Sequence, residues 1–215
     1  QGLTYQRAIQ ALEQYGHVAE IRILGKKWLQ LLIKTGRLVQ QYDPFDGTPC
    51  VTRSEGLAPE GKETERYKDV TTLGPDGYGP TTLAALEYYS LLCGINIAYE
   101  QVRWSCVCDF PDSNYCQTMY GHNYLLTHDH QKMSGFIDNQ LLFTCTCGVQ
   151  ITTDLNGQLL SIDGIEDHPI LFNLDHQGTH YSSLICPNEA LAFSGQQIKP
   201  LRSTAFDYPY SLERS

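Results

Sequence analysis

The sequence predicts an α+β fold, with a helical unit over residues 1–98, an antiparallel β module over 99–181 and an irregular tail over 182–215. Two observations carry this reading. Up to Gly94, apolar residues recur at three- and four-residue steps, the spacing of one helix face. Beyond Gly94 the period drops to two, the alternation of strands with one buried side. At 215 residues, 41% hydrophobic and 18% charged, the chain can bury a core as one large domain or two modest ones.

Residues 5–15 read as the first helix, with Tyr5, Ala8, Ile9, Leu12 and Tyr15 on one side and Gly16 as its stop. The second helix carries Val18, Ile21, Leu24, Trp28, Leu31 and Leu32 on one stripe, and ends at Gly36 with Lys34 in its last turn. Two helices joined at one glycine make an antiparallel hairpin, and Trp28 reads as core filler. Residues 37–49 then break the pattern with turn chemistry. They crowd Gln40, Gln41, Tyr42, Asp43 and Phe45 where a bare connector needs only Gly and Pro, so the loop reads as a wall of a binding pocket. Residues 51–76 form a polar insertion without a period, expected to run over the surface as a lid or excursion. Gly79-Pro80 opens a third helix, whose buried side reads as Leu83, Leu86, Tyr89 or Ser90, and Cys93.

The strands expected after Gly94 are 101–108, 117–127, 131–137, 140–145, 149–153, 158–162 and 170–174. Asp138-Asn139 and Asp154-Leu-Asn-Gly157 are hairpin turns by composition. Together these predict a meander folded into a small sandwich. Pro187, Pro200 and Pro209 punctuate the tail from Ser182, which reads as irregular.

A net charge of −9, with 15 scattered Lys and Arg, argues against a nucleic-acid or anionic-membrane surface. No apolar run reaches membrane-spanning length. Fourteen Tyr suit carbohydrate stacking and ordinary packing alike. The chain begins with Gln, so the expectation is a processed or trimmed chain or a piece of a longer parent, and a missing signal segment says nothing about secretion.

Eight Cys are many for a reducing compartment. Cys106-Val-Cys108 and Cys145-Thr-Cys147 each put two thiols on one strand face, open to cross-strand disulfides, a four-thiolate zinc site or buried free thiols. The close spacing within each pair is unusual for zinc, so disulfides and an extracellular or secretory compartment are the expectation. His128-Asp-His130 could offer two imidazoles to zinc or copper, but residues 127–131 read better as a hairpin tip with exposed His. His168, His176 and His180 are dispersed, and no Cys starts a helix beside a basic group, so no thiolate is evidently activated. The sequence thus calls for no metal and no cofactor.

One set of residues goes further. Tyr15-Gly16 leads straight into a helix, that helix runs into a Tyr-Asp-Pro-Phe-x-Gly loop at residues 42–47, and Tyr78-Gly79 opens the next helix. With these features, residues 5–94 resemble the final helices of six-hairpin (α/α)6-toroid glycoside hydrolases, the group of trehalases and of glucosidase and mannosylglycerate-hydrolase relatives. The β module is similar to the C-terminal sandwich that some of them append. The resemblance implies the last helices of a toroid whose remainder lies in an N-terminal part or a partner chain. It implies carbohydrate as ligand, with Tyr42, Asp43, Phe45 and Tyr78 as substrate contacts. It also implies inverting hydrolysis, with a general acid and a general base held roughly 6.5–9.5 Å apart to admit a water.

The resemblance puts the base two residues before the loop Tyr, as Glu; this chain has Gln40 there, and an amide takes no proton from water at neutral pH. Pro80 stands where the family has Trp after the aromatic-Gly turn. Glu55, Glu60, Glu63 and Glu65 of the insertion could supply a surrogate base but read as a solvated face, and Asp43 before Pro reads as a local turn former. The expectation is a C-terminal chain or fragment of an α-glycoside hydrolase-like protein, inactive alone. The alternatives are a non-catalytic structural or glycan-binding subunit, and an unrelated domain that assembles with itself through sheet edges or Cys.

Overall fold

The structure, a computed structural model, describes residues 2–39, 41–42, 47, 49–50, 78–129, 131–195 and 197–202. The chain divides into two compact units, one of Gln1–Gly16 with Glu20–Ser90, the other of His17–Ala19 with Leu91–Ser215. The fold class is α+β with a β-sandwich, as the change of period predicts.

Helices α1 (Gly2–Gln14), α2 (Val18–Thr35) and α3 (Gly79–Cys93) fall where the sequence puts them. Gly16 (φ 76) and Gly36 (φ 62) take the left-handed conformation that ends a helix without a Cβ penalty, and Gly36 N–H closes the last turn on Leu32 O at 2.8 Å. The helical core gathers Ile9, Ile21, Trp28, Leu32, Val39, Ala84 and Tyr88. Trp28 is 1% exposed and stacks on Tyr5 at 4.4 Å, the core role expected of it. The predicted buried side of α3 is corrected in part: Leu83 and Leu86 are 58% and 61% exposed, while Thr81, Ala84, Tyr88 and Leu91 are buried. Apolar residues ring most of this helix, so spacing alone offers more than one stripe, and contact with Tyr5 selects Tyr88.

In the second unit, strands β3 (Gly94–Ala98), β4 (Gln101–Cys106), β9 (Val149–Asp154), β10 (Leu159–Gly164), β13 (Ala190–Ser194) and β14 (Gln197–Arg202) form one antiparallel sheet in the order β14-β13-β10-β9-β4-β3. Strands β5 (Ser113–Met119), β6 (His122–Asp129), β7 (Lys132–Ile137), β8 (Gln140–Thr146), β11 (Ile170–His176) and β12 (Thr179–Ile185) form the other, in the order β12-β11-β8-β7-β6-β5. One apolar core lies between them. Trp104 of β4 meets Phe143 of β8 edge-on at 5.5 Å and Tyr124 of β6 at 6.0 Å, and its indole N–H donates to Thr153 Oγ1 at 3.1 Å.

Three expectations are corrected here. The helical unit stops before residue 98, because β3 pairs with β4 and joins the sheet. The expected strand 117–127 is a hairpin, folded at Tyr120 (φ 53) and Gly121 (φ 83). The tail from Ser182 is regular as far as Arg202: Ser182 lies inside β12, and β13 and β14 extend the first sheet. Proline does not break it because Pro187 occupies a turn, while Pro200 sits on edge strand β14 beside a register shift, where a missing N–H costs no ladder bond. Pro209 lies outside the described residues. The Asp138-Asn139 turn is as expected, with φ of 49 and 65, the two-residue form whose twist matches its strands.

The β3–β4 turn uses Tyr99 (φ 53) and Glu100 (φ 60), two side chains that pay a steric penalty in this region. The double variant Tyr99→Asn, Glu100→Gly is expected to stabilise the β module by about 1–2 kcal/mol. A denaturant midpoint that does not rise would contradict this turn geometry.

Candidate functional site

The loop expected to face sugar starts from a fixed stem. Strands β1 (Gln41–Tyr42) and β2 (Pro49–Cys50) pair antiparallel, Gln41 opposite Cys50 and Tyr42 opposite Pro49, so the loop closes on itself. Gly47 has φ 76 and lies against Leu31, where a Cβ would strike the Leu31 side chain, which explains why that loop position is glycine. Upstream, Leu38 O accepts Tyr78 N–H at 2.8 Å and Val39 O accepts Thr81 Oγ1 at 2.7 Å. The two ends of the excursion from α2 to α3 are thereby brought together.

Tyr42 is half-buried, with its ring edge-on to Trp28 at 5.5 Å. Its hydroxyl donates to Arg37 O and accepts Val39 N–H at 3.1 Å. Both bonds hold the loop's own backbone, so Tyr42 acts as a strut. Tyr78 is half-buried, and its carbonyl accepts Thr81 N–H at 3.0 Å and Thr82 N–H at 3.2 Å, starting α3. Gln40, Asp43, Phe45 and the acidic residues Glu55, Glu60, Glu63 and Glu65 lie outside the described residues. Trp28 Nε1 is buried and has no hydrogen-bond partner among the described residues.

A second constellation forms at one end of the sandwich. Cys93 closes α3 and Cys106 closes β4, the two opposed in a backbone bridge with sulfurs 3.6 Å apart. His128 of β6 brings a ring nitrogen within 4.8 Å of both sulfurs. Cys147, just past β8, lies beside this trio, next to Cys106 and His128. Its position is fixed by Cys147 N–H to Gln131 O at 2.8 Å and Gly148 N–H to Cys106 O at 2.7 Å. Gly148 has φ 89, and a Cβ there would come within 2.9 Å of Cys108 Sγ and Glu166 Cγ, so the bend needs glycine.

Cys93, Cys106 and Cys147 are at most 1% exposed and His128 is 4% exposed. Such burial closes the sulfurs to a substrate and leaves packing or ion binding as what the group can do. Hydrogen bonding from Cys106, with help from the Ser113 hydroxyl and His128, lowers the Cys93 thiol to about 7 against the opposing effect of burial. Cys147 is lowered for the same first reason. Cys106 is raised by its interactions with Cys147 and Cys93 and by burial. His128 Nδ1 lies 3.1 Å from Pro111 O; a carbonyl can only accept, so Nδ1 carries the proton and Nε2 keeps the lone pair of the neutral ring.

The two expected Cys pairs are therefore corrected. Cys106 enters the group with Cys93 and His128, and Cys147 of the other pair lies beside it. Strand alternation fails because β4 ends at Cys106 and β8 at Thr146. Cys108 lies in the turn beyond, its N–H donated to Glu166 Oε1 at 2.8 Å, and Cys145 faces the apolar core, 2% exposed. Cys93, Cys106, Cys108, Cys116, Cys145, Cys147 and Cys186 carry no disulfide. His128 is not an exposed tip residue, since β6 continues through Asp129; His130 lies outside the described residues. The expectation of no metal missed this grouping, whose signal is three thiols and an imidazole at element ends, visible only once the topology stacks those ends.

Replacing Tyr42 by Phe keeps the ring on Trp28 and removes both loop bonds. Unfolding of the helical unit is expected to become easier by about 1 kcal/mol, read by denaturant titration; an unchanged midpoint would remove Tyr42 as a strut. No protein-family model, curated protein or solved structure matches this chain.

Proposed function

We propose that this chain is the C-terminal portion of an inverting glycoside hydrolase-like protein acting on α-glycosides, inactive by itself because Gln40 occupies the position of the general base. The observation that carries the reading is the Tyr42–Gly47 motif on its stem. The motif's Gly47 takes a left-handed φ of 76 against Leu31, and the segment before the loop is tied to the start of α3, which supports a role as a pocket wall. Tyr42, Asp43, Phe45 and Tyr78 remain the proposed carbohydrate contacts.

The helical unit adds support. Ile33 of α2 and Leu83 and Leu86 of α3 are 81%, 58% and 61% exposed, apolar side chains that further helices of a toroid, in an N-terminal part or partner chain, would cover. A secretory or extracellular location belongs to the same reading; the unbridged thiols withdraw the support that cysteine pairing gave it. No described helix is long and apolar enough to cross a membrane.

The second reading is a non-catalytic structural or glycan-binding subunit, favoured by Gln40 and Pro80 in place of the family's Glu and Trp. The recombinant chain alone is expected to hydrolyse no α-glycoside. Assembled with the N-terminal portion that carries the acid, Gln40→Glu is expected to raise turnover by about 10²–10⁴-fold, the worth of a positioned base. Full turnover by the isolated chain would sink the first reading, and an assembled Gln40→Glu variant without activity would favour the second.

A further inference from the structure

The end of the sandwich carries an inference independent of the sugar reading. We propose that the Cys93, Cys106 and His128 cluster, joined by the adjoining Cys147 as fourth ligand, binds one zinc ion in a closed tetrahedral site of three sulfurs and one nitrogen, which ties the two sheets together.

Geometry comes first. Zinc–thiolate bonds of about 2.3 Å at tetrahedral angles hold two sulfurs about 3.8 Å apart. The Cys93 and Cys106 sulfurs stand 3.6 Å apart, whereas a disulfide needs about 2.05 Å. A disulfide between those two would also leave a third thiol and an imidazole buried against it. Zinc uses all four groups at once.

The ligand set has the chemistry of zinc. Thiolate and imidazole in tetrahedral array are the donors of structural zinc sites, and four protein ligands leave no position for a substrate water. The surrounding groups match. A zinc-bound imidazole commonly donates its other N–H to a backbone carbonyl or carboxylate, which fixes its orientation, and His128 has Pro111 O at 3.1 Å on Nδ1. Ser113 Oγ lies 3.1 Å from Cys93 Sγ; a metal-bound thiolate only accepts, so the hydroxyl donates there.

The topology states what the ion does. Cys106 ends β4 of one sheet; His128 belongs to β6, and Cys147 follows β8, of the other. Cys93 joins the end of α3 to β3. One ion therefore clamps four chain segments, brought together from residues 93 to 147, across the rim of the core.

The test uses the full chain, purified without chelator under a non-thiol reductant. Elemental analysis is expected to find about one zinc per chain. Replacement by cobalt(II) is expected to give thiolate-to-cobalt charge-transfer and tetrahedral ligand-field bands. Cys147→Ser and His128→Ala are expected to cut bound metal to less than about one tenth, while Cys145→Ser and Cys116→Ser keep it. Should the ligand variants fail to fold, the wild-type chain still decides: chelator is expected to lower its unfolding midpoint, and added zinc to restore it. The proposal is overturned if the wild-type chain takes up neither zinc nor cobalt, if the ligand variants fold and retain full stoichiometry, if a native Cys93–Cys106 disulfide is found, or if iron with sulfide occupies the site. None of these outcomes depends on glycoside hydrolysis.

Discussion

Trp104 is the residue on which the β module closes. Its indole is fully buried between the sheets, against Phe143 and Tyr124 of the opposing layer, and its one polar atom is satisfied by Thr153 on the neighbouring strand. A ring of this size tolerates no register slip, because moving β4 by one residue would turn Trp104 outward with Val102 and Cys106. The pairing of β4 with β3 and β9 follows from that, and so does the arrival of Cys106 at the rim.

At the rim the core changes character. Leu, Ile and aromatic residues give way to Cys93, Cys106, Cys147 and His128, polar or ionisable groups that are nonetheless buried. Buried groups of this kind need partners, and here they have chiefly one another, with Ser113 and Pro111 O behind them. The backbone is shaped to the same end: Gly148 accepts a left-handed conformation in a space too tight for any Cβ, and so delivers Cys147. The proposed zinc ion gives this local arrangement a single cause.

The helical unit follows a different logic. Tyr5, Trp28, Tyr42 and Tyr88 form a chain of ring contacts that joins α1, α2, the loop stem and α3. The loop stem is held as an extension of that aromatic core, and the Tyr42 hydroxyl serves the backbone of residues 37–39. A stem fixed this way gives the proposed sugar-site role its footing in the aromatic core.

The sequence by itself determined the helices, the onset of β structure after Gly94, and turns such as Asp138-Asn139, because those signals are local: glycine stops, three-to-four spacing and turn residues act over a few positions. It also singled out Gln40 and the Tyr42–Gly47 loop, through a motif. Strand β3 was hidden because its turn uses Tyr99 and Glu100 in place of Gly or Asn, and β14 because edge pairing tolerates Pro200. Only the tertiary structure decided the sheet order and the meeting of Cys93, Cys106, His128 and Cys147. Each of those four sits at or near the end of its element, where local period no longer predicts direction, and long-range packing alone brings such ends to one point.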